Sequence, residues 1–381
     1  MQVSRTLGRA ACAAAFAAFA ATPAHAQADP ATDAGSGLFR VFADSKGVLV
    51  RSWIEDVTVP VRTAGNLTVH WNNEKVSVPG VQAPPGSSEA VDAITTASRP
   101  ISAGSAYQDY TKVRNELEGT FARGNATVGY YHSMESDYLA HQLSATYARD
   151  LRSSTLNLSL GSSWGWDDIE PLADPRTHPT ASRKETLHWN AVATQVLGPE
   201  SVLRYGLEYN HVDGLQHNPY RLVYAGGTTV PERHPDTRER RDAFLKFHQY
   251  LPNRSSLQLD YRFYDDDWGI LSHEVATGLA QYLVHGLYAQ YQYRWYTQTS
   301  ADFWRSEYLS TGGVNGFLTG DYRMGPLSSH LFGVTLSADL GVLAPSSPRW
   351  RQWALTLDYE RYFNSNSYSA DIVETGVDVH F

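Results

Sequence analysis

Residues 287–296 decide the fold: Leu287-Tyr288-Ala289-Gln290-Tyr291-Gln292-Tyr293-Arg294-Trp295-Tyr296. Apolar Leu287, Ala289, Tyr291, Tyr293 and Trp295 alternate with Tyr288, Gln290, Gln292, Arg294 and Tyr296. Extended backbone points successive side chains to opposite faces, so this segment is a ribbon with one greasy and one more polar side. The period returns in Leu257, Leu259, Tyr261 and Phe263 against Gln258, Asp260, Arg262 and Tyr264. It returns again in Leu203, Tyr205, Leu207 and Tyr209 against Arg204, Gly206, Glu208 and Asn210. Trp353, Leu355, Leu357 and Tyr359 against Ala354, Thr356, Asp358 and Glu360 make a fourth case. Beyond residue 26 no segment approaches 18 consecutive apolar residues, so no transmembrane helix is expected.

The connections carry the next piece of information. Short ones fall near 122–124, 152–154, 198–200, 252–254 and 284–286, and longer polar ones near 132–137, 165–184, 212–240, 264–271 and 298–329. A membrane barrel puts short turns on its periplasmic side and long loops outside. In hydrocarbon every backbone polar group needs a partner, which a closed sheet supplies without leaving an edge. The fold expected is all-β: a transmembrane antiparallel β-barrel of 14–16 strands, with a soluble secreted all-β domain as the alternative. Thirteen candidate strands follow residue 108, and bacterial single-chain barrels use even numbers. A strand near 67–71 makes fourteen, and two more from 39–43 and 48–59 make sixteen.

On this reading the polar faces line an interior, and the candidate lumen residues are Arg204, Glu208, Lys246, Asp260, Arg262, Arg294, Asp358 and Glu360. Trp295, Tyr296, Trp304, Trp350, Trp353, Tyr359 and Tyr362, near strand ends, are expected in an aromatic girdle. The last segment alternates Val373, Thr375, Val377, Val379 and Phe381 against Glu374, Asp378 and His380. A final strand ending in an aromatic residue is the form expected to engage outer-membrane barrel-assembly machinery.

With 31 Lys and Arg against 40 Asp and Glu, the chain has no basic stripe to neutralise phosphates, which argues against nucleic acid as a partner. Arg5 and Arg9, the apolar run 10–21 and Ala24-His25-Ala26 have the form of a secretory signal peptide over residues 1–26. The only cysteine, Cys12, falls inside it, so the exported protein would have no thiol and no disulfide. The expected organisation is a signal at 1–26, an N-terminal segment at 27–106 with the first strands and a plug or outer loop, and the main barrel at 107–381. The expected setting is the lipid of a Gram-negative outer membrane.

Several motifs resemble a known family. Val91-Asp92-Ala93-Ile94-Thr95-Thr96-Ala97-Ser98 is similar to a signature of the Gram-negative family called domain of unknown function 3570. Further matching pieces are Asn218-Pro219-Tyr220-Arg221, Glu232-Arg233-His234-Pro235-Asp236-Thr237-Arg238 and Leu251-Pro252-Asn253-Arg254-Ser255. Tyr261-Arg262-Phe263-Tyr264, Asp267-Trp268-Gly269 and Ser300-Ala301-Asp302-Phe303 complete the set. The resemblance implies an outer-membrane protein and no particular activity.

Candidate chemistry is sparse. Asp92, Thr95, Ala97 and Ser98 also resemble the Asp-x-x-(Ser/Thr)-Gly-Ala-(Ser/Thr) acceptor of covalent FMN, with Thr96 where glycine is usual. That reading implies FMN on Ser98 and a periplasmic redox partner; the plain alternative is a tight small-residue turn. Asp265, Asp266 and Asp267 suit a hard cation by ligand type but lack the spaced glycine of a calcium loop. His211, His217, His234 and His248 follow no metal-ligand spacing. Ser272, His273 and Glu274 are the residues to suspect in an outer-membrane hydrolase, yet neighbours in a strand face opposite ways. The expectation is a non-enzymatic channel, transport or envelope-scaffold barrel.

Overall fold

The computed structural model describes residues 34–61, 64–78, 110–174, 176–343 and 352–380. Its strands are β1 (Ala34–Asp44), β2 (Leu49–Val61), β3 (Gly65–Val78), β4 (Tyr110–Arg123), β5 (Ala126–Met134) and β6 (Tyr138–Leu151). Then come β7 (Leu156–Ile169), β8 (Ser182–Gly198), β9 (Ser201–Gly214), and a small hairpin of β10 (Leu222–Ala225) and β11 (Thr228–Pro231). The remainder are β12 (Thr237–Leu251), β13 (Ser255–Asp266), β14 (Leu271–Val284), β15 (Leu287–Gln298), β16 (Leu327–Asp339), β17 (Trp353–Asn364) and β18 (Ser369–His380).

Apart from the hairpin, every strand joins one closed barrel of sixteen strands, the upper count expected from the alternation. Neighbours are antiparallel, and β1 closes on β18 from Ala34 opposite His380 to Asp44 opposite Ala370. The register slips at only two places among the described pairings, Val196/Gly198 and Tyr282/Val284, both beside short turns. With the circle closed, no edge strand is left with unpaired amides, which is the requirement hydrocarbon imposes.

The distribution of side chains is inverted relative to a soluble domain. Leu160 and Leu207 are 63% and 65% exposed, and Val57, Leu143, Leu245, Val275, Phe332 and Leu355 share that outer face. Buried instead are Arg40, Glu116, Asp242, Asp358, Glu360 and Glu374. An apolar belt around the whole wall would be an aggregation surface in water; in a bilayer it is the solvated face. No helix among the described residues is long and apolar enough to cross a membrane, so crossing falls to the strands.

Several strands run beyond their expected ends at the loop side, to Ile169, Ser182, Gly214 and Thr237. The loops there shrink to 135–137, 170–181, 215–236, 267–270 and 299–326. Alternation of connection length is therefore not strict, and on the opposite side 340–352 is long and opens with a helical turn, α1 (Leu340–Leu343). The girdle expectation also needs correction. Tyr296 faces inward and donates to Gln298 at 2.6 Å, Tyr362 is buried against Leu331 and Ala370, and Trp304 lies in a loop. Trp295 and Tyr296 could not both face lipid, because adjacent strand residues point opposite ways. Trp350 lies outside the described residues.

Candidate functional site

Two features stand out: the charged inner face and the loops tied across one end of it. All eight charged residues named from the alternation share the face opposite the exposed apolar side chains. Arg262 bridges Asp242 at 2.6 Å and Glu208 at 2.8 Å. Lys246 pairs with Asp260 at 2.9 Å, and Gln258 donates to the same carboxylate. Asp260 and Arg262, two residues apart, thus take different partners. Arg204 lies opposite Lys246 in register. Arg294 lies 3.6 Å from Glu274. Asp358 accepts from Thr335 and Glu360 from Gln292, on the wall where Glu374 pairs with Arg40. Sequence reading missed Arg40, Glu74, Arg114, Glu116, Asp242 and Glu274 on this face, whereas it puts Glu374 on the polar side of the last strand. For all but Arg40 the signal was there, at the polar phase of a period-two strand; Arg40 shares its face with Leu38 and Phe42, which hide the alternation.

The loop assembly is built from 215–236, 267–270 and 299–326. A bridge between Ala225 and Tyr308 and another between Arg233 and Leu318 stitch the first loop to the last. Val223, Ala225, Tyr308 and Leu318 form one small apolar core, and Trp268, Ile270, Ala301 and Phe303 a second. Glu232, 1% exposed, is the polar centre. It accepts from Arg221 at 3.0 Å, the Thr319 hydroxyl at 2.5 Å, the Gly320 amide at 3.0 Å and the Asn218 amide at 3.2 Å. His234 Nε2 lies 3.3 Å from the same carboxylate. Arg221 also reaches Asp321 at 3.3 Å, and Arg323 forks onto Asp321 at 2.8 and 2.7 Å. Tyr220 donates to Asp137 at 2.6 Å, drawing in the loop between β5 and β6.

This assembly is tied to the inner wall at the barrel mouth. Asp266 of β13 accepts from Arg238 Nε at 2.9 Å, from Tyr264 at 2.7 Å and from the Trp268 and Ile270 amides at 3.1 and 2.9 Å. The Arg238 guanidinium stacks over Trp268 at 4.2 Å, a cation–π contact. Gln298 of β15 donates to the carbonyls of Arg323 at 2.6 Å and Gly325 at 2.8 Å. Burial alone would raise the Glu232 pKa, but the Arg221 and His234 charges and the hydrogen bonds hold it well below the usual carboxylate value. Burial opposes ionisation of Asp321 too, and Arg323 with Arg221 overcomes it, holding Asp321 at about 2. Burial lowers the His217 pKa, and His234 nearby adds to that.

The other candidates are dispersed. Asp266 serves the turn just described, Asp267 accepts from the Glu239 amide at 2.9 Å, and Asp265 lies 3.7 Å from Arg241. These are turn and surface roles. His273 faces outward while Ser272 and Glu274 face inward, so that trio does not meet. No group of three or more His, Cys, Asp or Glu able to hold a metal occurs among the described residues. Asp92, Thr95, Ala97 and Ser98 lie outside the described residues. The strands that flank them end at the loop side, where Val78 pairs with Tyr110.

A family model described as a protein of unknown function, DUF3570, matches residues 55–368. The chain belongs to the DUF3570 family. Four of the quoted DUF3570 pieces, 218–221, 232–238, 267–269 and 300–303, converge on the loop assembly although they are scattered along the chain. No curated protein sequence matches it. Among solved structures, the chain is similar to OccD3 (OpdP) of Pseudomonas aeruginosa, at 10% identity and TM-score 0.47, covering 92% of this chain and 91% of that one. A bacterial polysaccharide outer membrane secretin gives 8% identity and TM-score 0.47, covering 93% and 100%. The siderophore receptor PirA of Pseudomonas aeruginosa gives 12% identity and TM-score 0.43 over 88% of this chain, which spans only 57% of the receptor. Likeness at this level transfers no role.

Proposed function

We propose that this protein is a non-enzymatic channel or transport barrel of the Gram-negative outer membrane, whose loop assembly narrows its mouth. The observation that supports this best is the anchoring of buried loops to the inner wall, through Asp266, Arg238 and Gln298, above a charged interior. Sixteen strands give a circumference wide enough for a lumen. In this reading Arg204, Glu208, Lys246, Asp260, Arg262, Arg294, Asp358 and Glu360 line the passage. Paired charges of both signs keep water and small polar solutes favourable there without presenting one net field.

Planar-bilayer recording of the refolded full chain tests it, beside a variant with 300–324 replaced by a short Gly-Ser turn. The wild type should pass a small current, and the variant a current several-fold larger. No current from either protein would sink the channel reading and leave an envelope scaffold.

A further inference from the structure

One arrangement repeats on the outer wall at the loop end. Tyr130 of β5 and His141 of β6 stand diagonally across a strand pair, with the phenol oxygen 2.8 Å from Nδ1. Tyr261 of β13 and His273 of β14 do the same at 2.8 Å, and Tyr293 of β15 and His330 of β16 at 2.9 Å. The rings are inclined by 30°, 25° and 23°. Each histidine sits two or three residues from the loop-side end of its strand. His132 and His211 face outward at a similar height, so five of the chain's 14 histidines gather on this rim. No barrel strand among the described residues carries an outward histidine at the short-turn end. The same diagonal on β17 and β18 joins Tyr359 to Asp371 at 2.8 Å, and that carboxylate is held by Arg361.

A phenol that donates to Nδ1 fixes the ring proton on Nε2 and leaves an N–H donor pointing away from the pair. Directly below these donors the outer face is apolar, with Leu143, Val275 and Val334 exposed. The complement of such a surface is an amphiphile with anionic oxygens at headgroup height. Most rim carboxylates lie beside an arginine of their own: Glu239 and Asp265 by Arg241, Asp371 by Arg361, and Asp168 and Glu185 by Arg183. We propose that the three Tyr–His pairs are binding sites for the phosphate groups of a phosphorylated lipid in the loop-side leaflet. The histidines supply the donors, and the tyrosines position them. This rests on the membrane reading above.

The test uses the refolded full chain in detergent micelles, titrated with bisphosphorylated lipid A, with dephosphorylated lipid A and with inorganic pyrophosphate. The wild type should prefer the phosphorylated lipid by about tenfold, the scale of a few charge-assisted hydrogen bonds shared among exposed sites. The variant H141F/H273F/H330F keeps the rings and removes the donors. It should lose that preference while keeping its heat-modifiable migration and its affinity for the dephosphorylated lipid. A second set, Y130F/Y261F/Y293F, should lose about threefold, because the tautomer is no longer fixed. Equal affinity of the wild type for both lipids, or undiminished preference in both variant sets, overturns the proposal. Pyrophosphate binding as tight as the lipid would assign the site to free phosphate and overturn it also. A wild type without heat-modifiable migration overturns the membrane reading itself.

Discussion

The two ends of the barrel solve different problems. At the short-turn end, 340–352 apart, the chain reverses within a few residues, using positive φ at Gly124, Arg152, Ser153, Ser154, Arg254 and Gly286. Side-chain hydrogen bonds there stay within a turn or between adjacent strands, as in Thr155 to Arg152, Asn157 to Asp150, Ser255 to Asn253 and Ser201 to Gln249. At the loop end they join distant segments: Thr319 to Glu232 across 87 positions, Tyr220 to Asp137 across 83, and Arg233 to Thr311 across 78. Closing a barrel needs only short turns and strand ladders. The loop-end bonding is structure beyond what closure demands, and it concentrates buried charge where a solute would enter.

The sharpest way to break this contrast is Glu232→Ala. It leaves Arg221 buried with Asp321 as its remaining carboxylate, and removing one partner of a buried pair costs about 3–5 kcal/mol. The loss should fall on the loop assembly alone. Limited proteolysis should cut 299–326 far faster, while the barrel keeps its heat-modifiable band. Loops as resistant as in the wild type would remove Glu232 from the centre of the assembly.

Acid acts on the same centre without mutation. Glu232 and Asp321 both titrate below their ordinary values, so their contribution is complete above the unfolded pKa and is lost as pH falls through the folded one. For Asp321, held at about 2 against 3.8, this amounts to about 2 kcal/mol. Loop protection from an acid-active protease should stay constant from pH 7 to 5 and fall between about pH 4 and pH 2. A fall near neutral pH would point to the histidines instead.

Backbone substitutions at the two ends sharpen the comparison at smaller scale. Gly269 has φ +89°, and a Cβ there would lie 2.3 Å from Asp302 Oδ1. Gly269→Ala should therefore loosen the turn that holds Trp268, by about 1–3 kcal/mol in loop protection. Arg254, exposed and at φ +61° in a short turn, touches no such assembly. Arg254→Gly should change barrel stability by less than about 1 kcal/mol in urea-induced unfolding.

Legibility in the sequence divides along the same line. Period-two alternation carries the strands, because each residue of a barrel wall chooses between lipid and interior. It failed at the mouth, where β7, β8, β9 and β12 run on, β8 and β12 through polar segments at 182–184 and 237–240. There both faces meet water or loops, so the apolar phase fades although the ladder continues. It failed for Tyr362 because tyrosine satisfies either face. The partnership of Glu232, Arg221, Thr319 and Asp321 has no local period at all. It depends on loops meeting across the mouth, and only the family-like pieces at 218–221 and 232–238 hinted that those loops were constrained.

The smallest effect expected is at Ser98. Its neighbours match the flavin-acceptor pattern in Asp92, Thr95 and Ala97, but Thr96 replaces the glycine that would let an enzyme approach the backbone closely. The strands on either side, β3 and β4, meet at Val78 and Tyr110 on the loop end. In an outer-membrane barrel that end faces away from the periplasm, where a flavin transferase would work, so modification would require that it precede insertion or that the segment fold into the lumen. The prediction is an intact mass, for protein from a host that makes the transferase, without the addition of about 438 Da that an FMN phosphoester brings. Ser98→Ala should then change the mass only by the lost oxygen and leave conductance untouched. An adduct of that size, abolished by Ser98→Ala, would reverse the expectation. It would make the loop end a redox-bearing surface, so the contrast between the two ends would become one of chemistry as well as architecture.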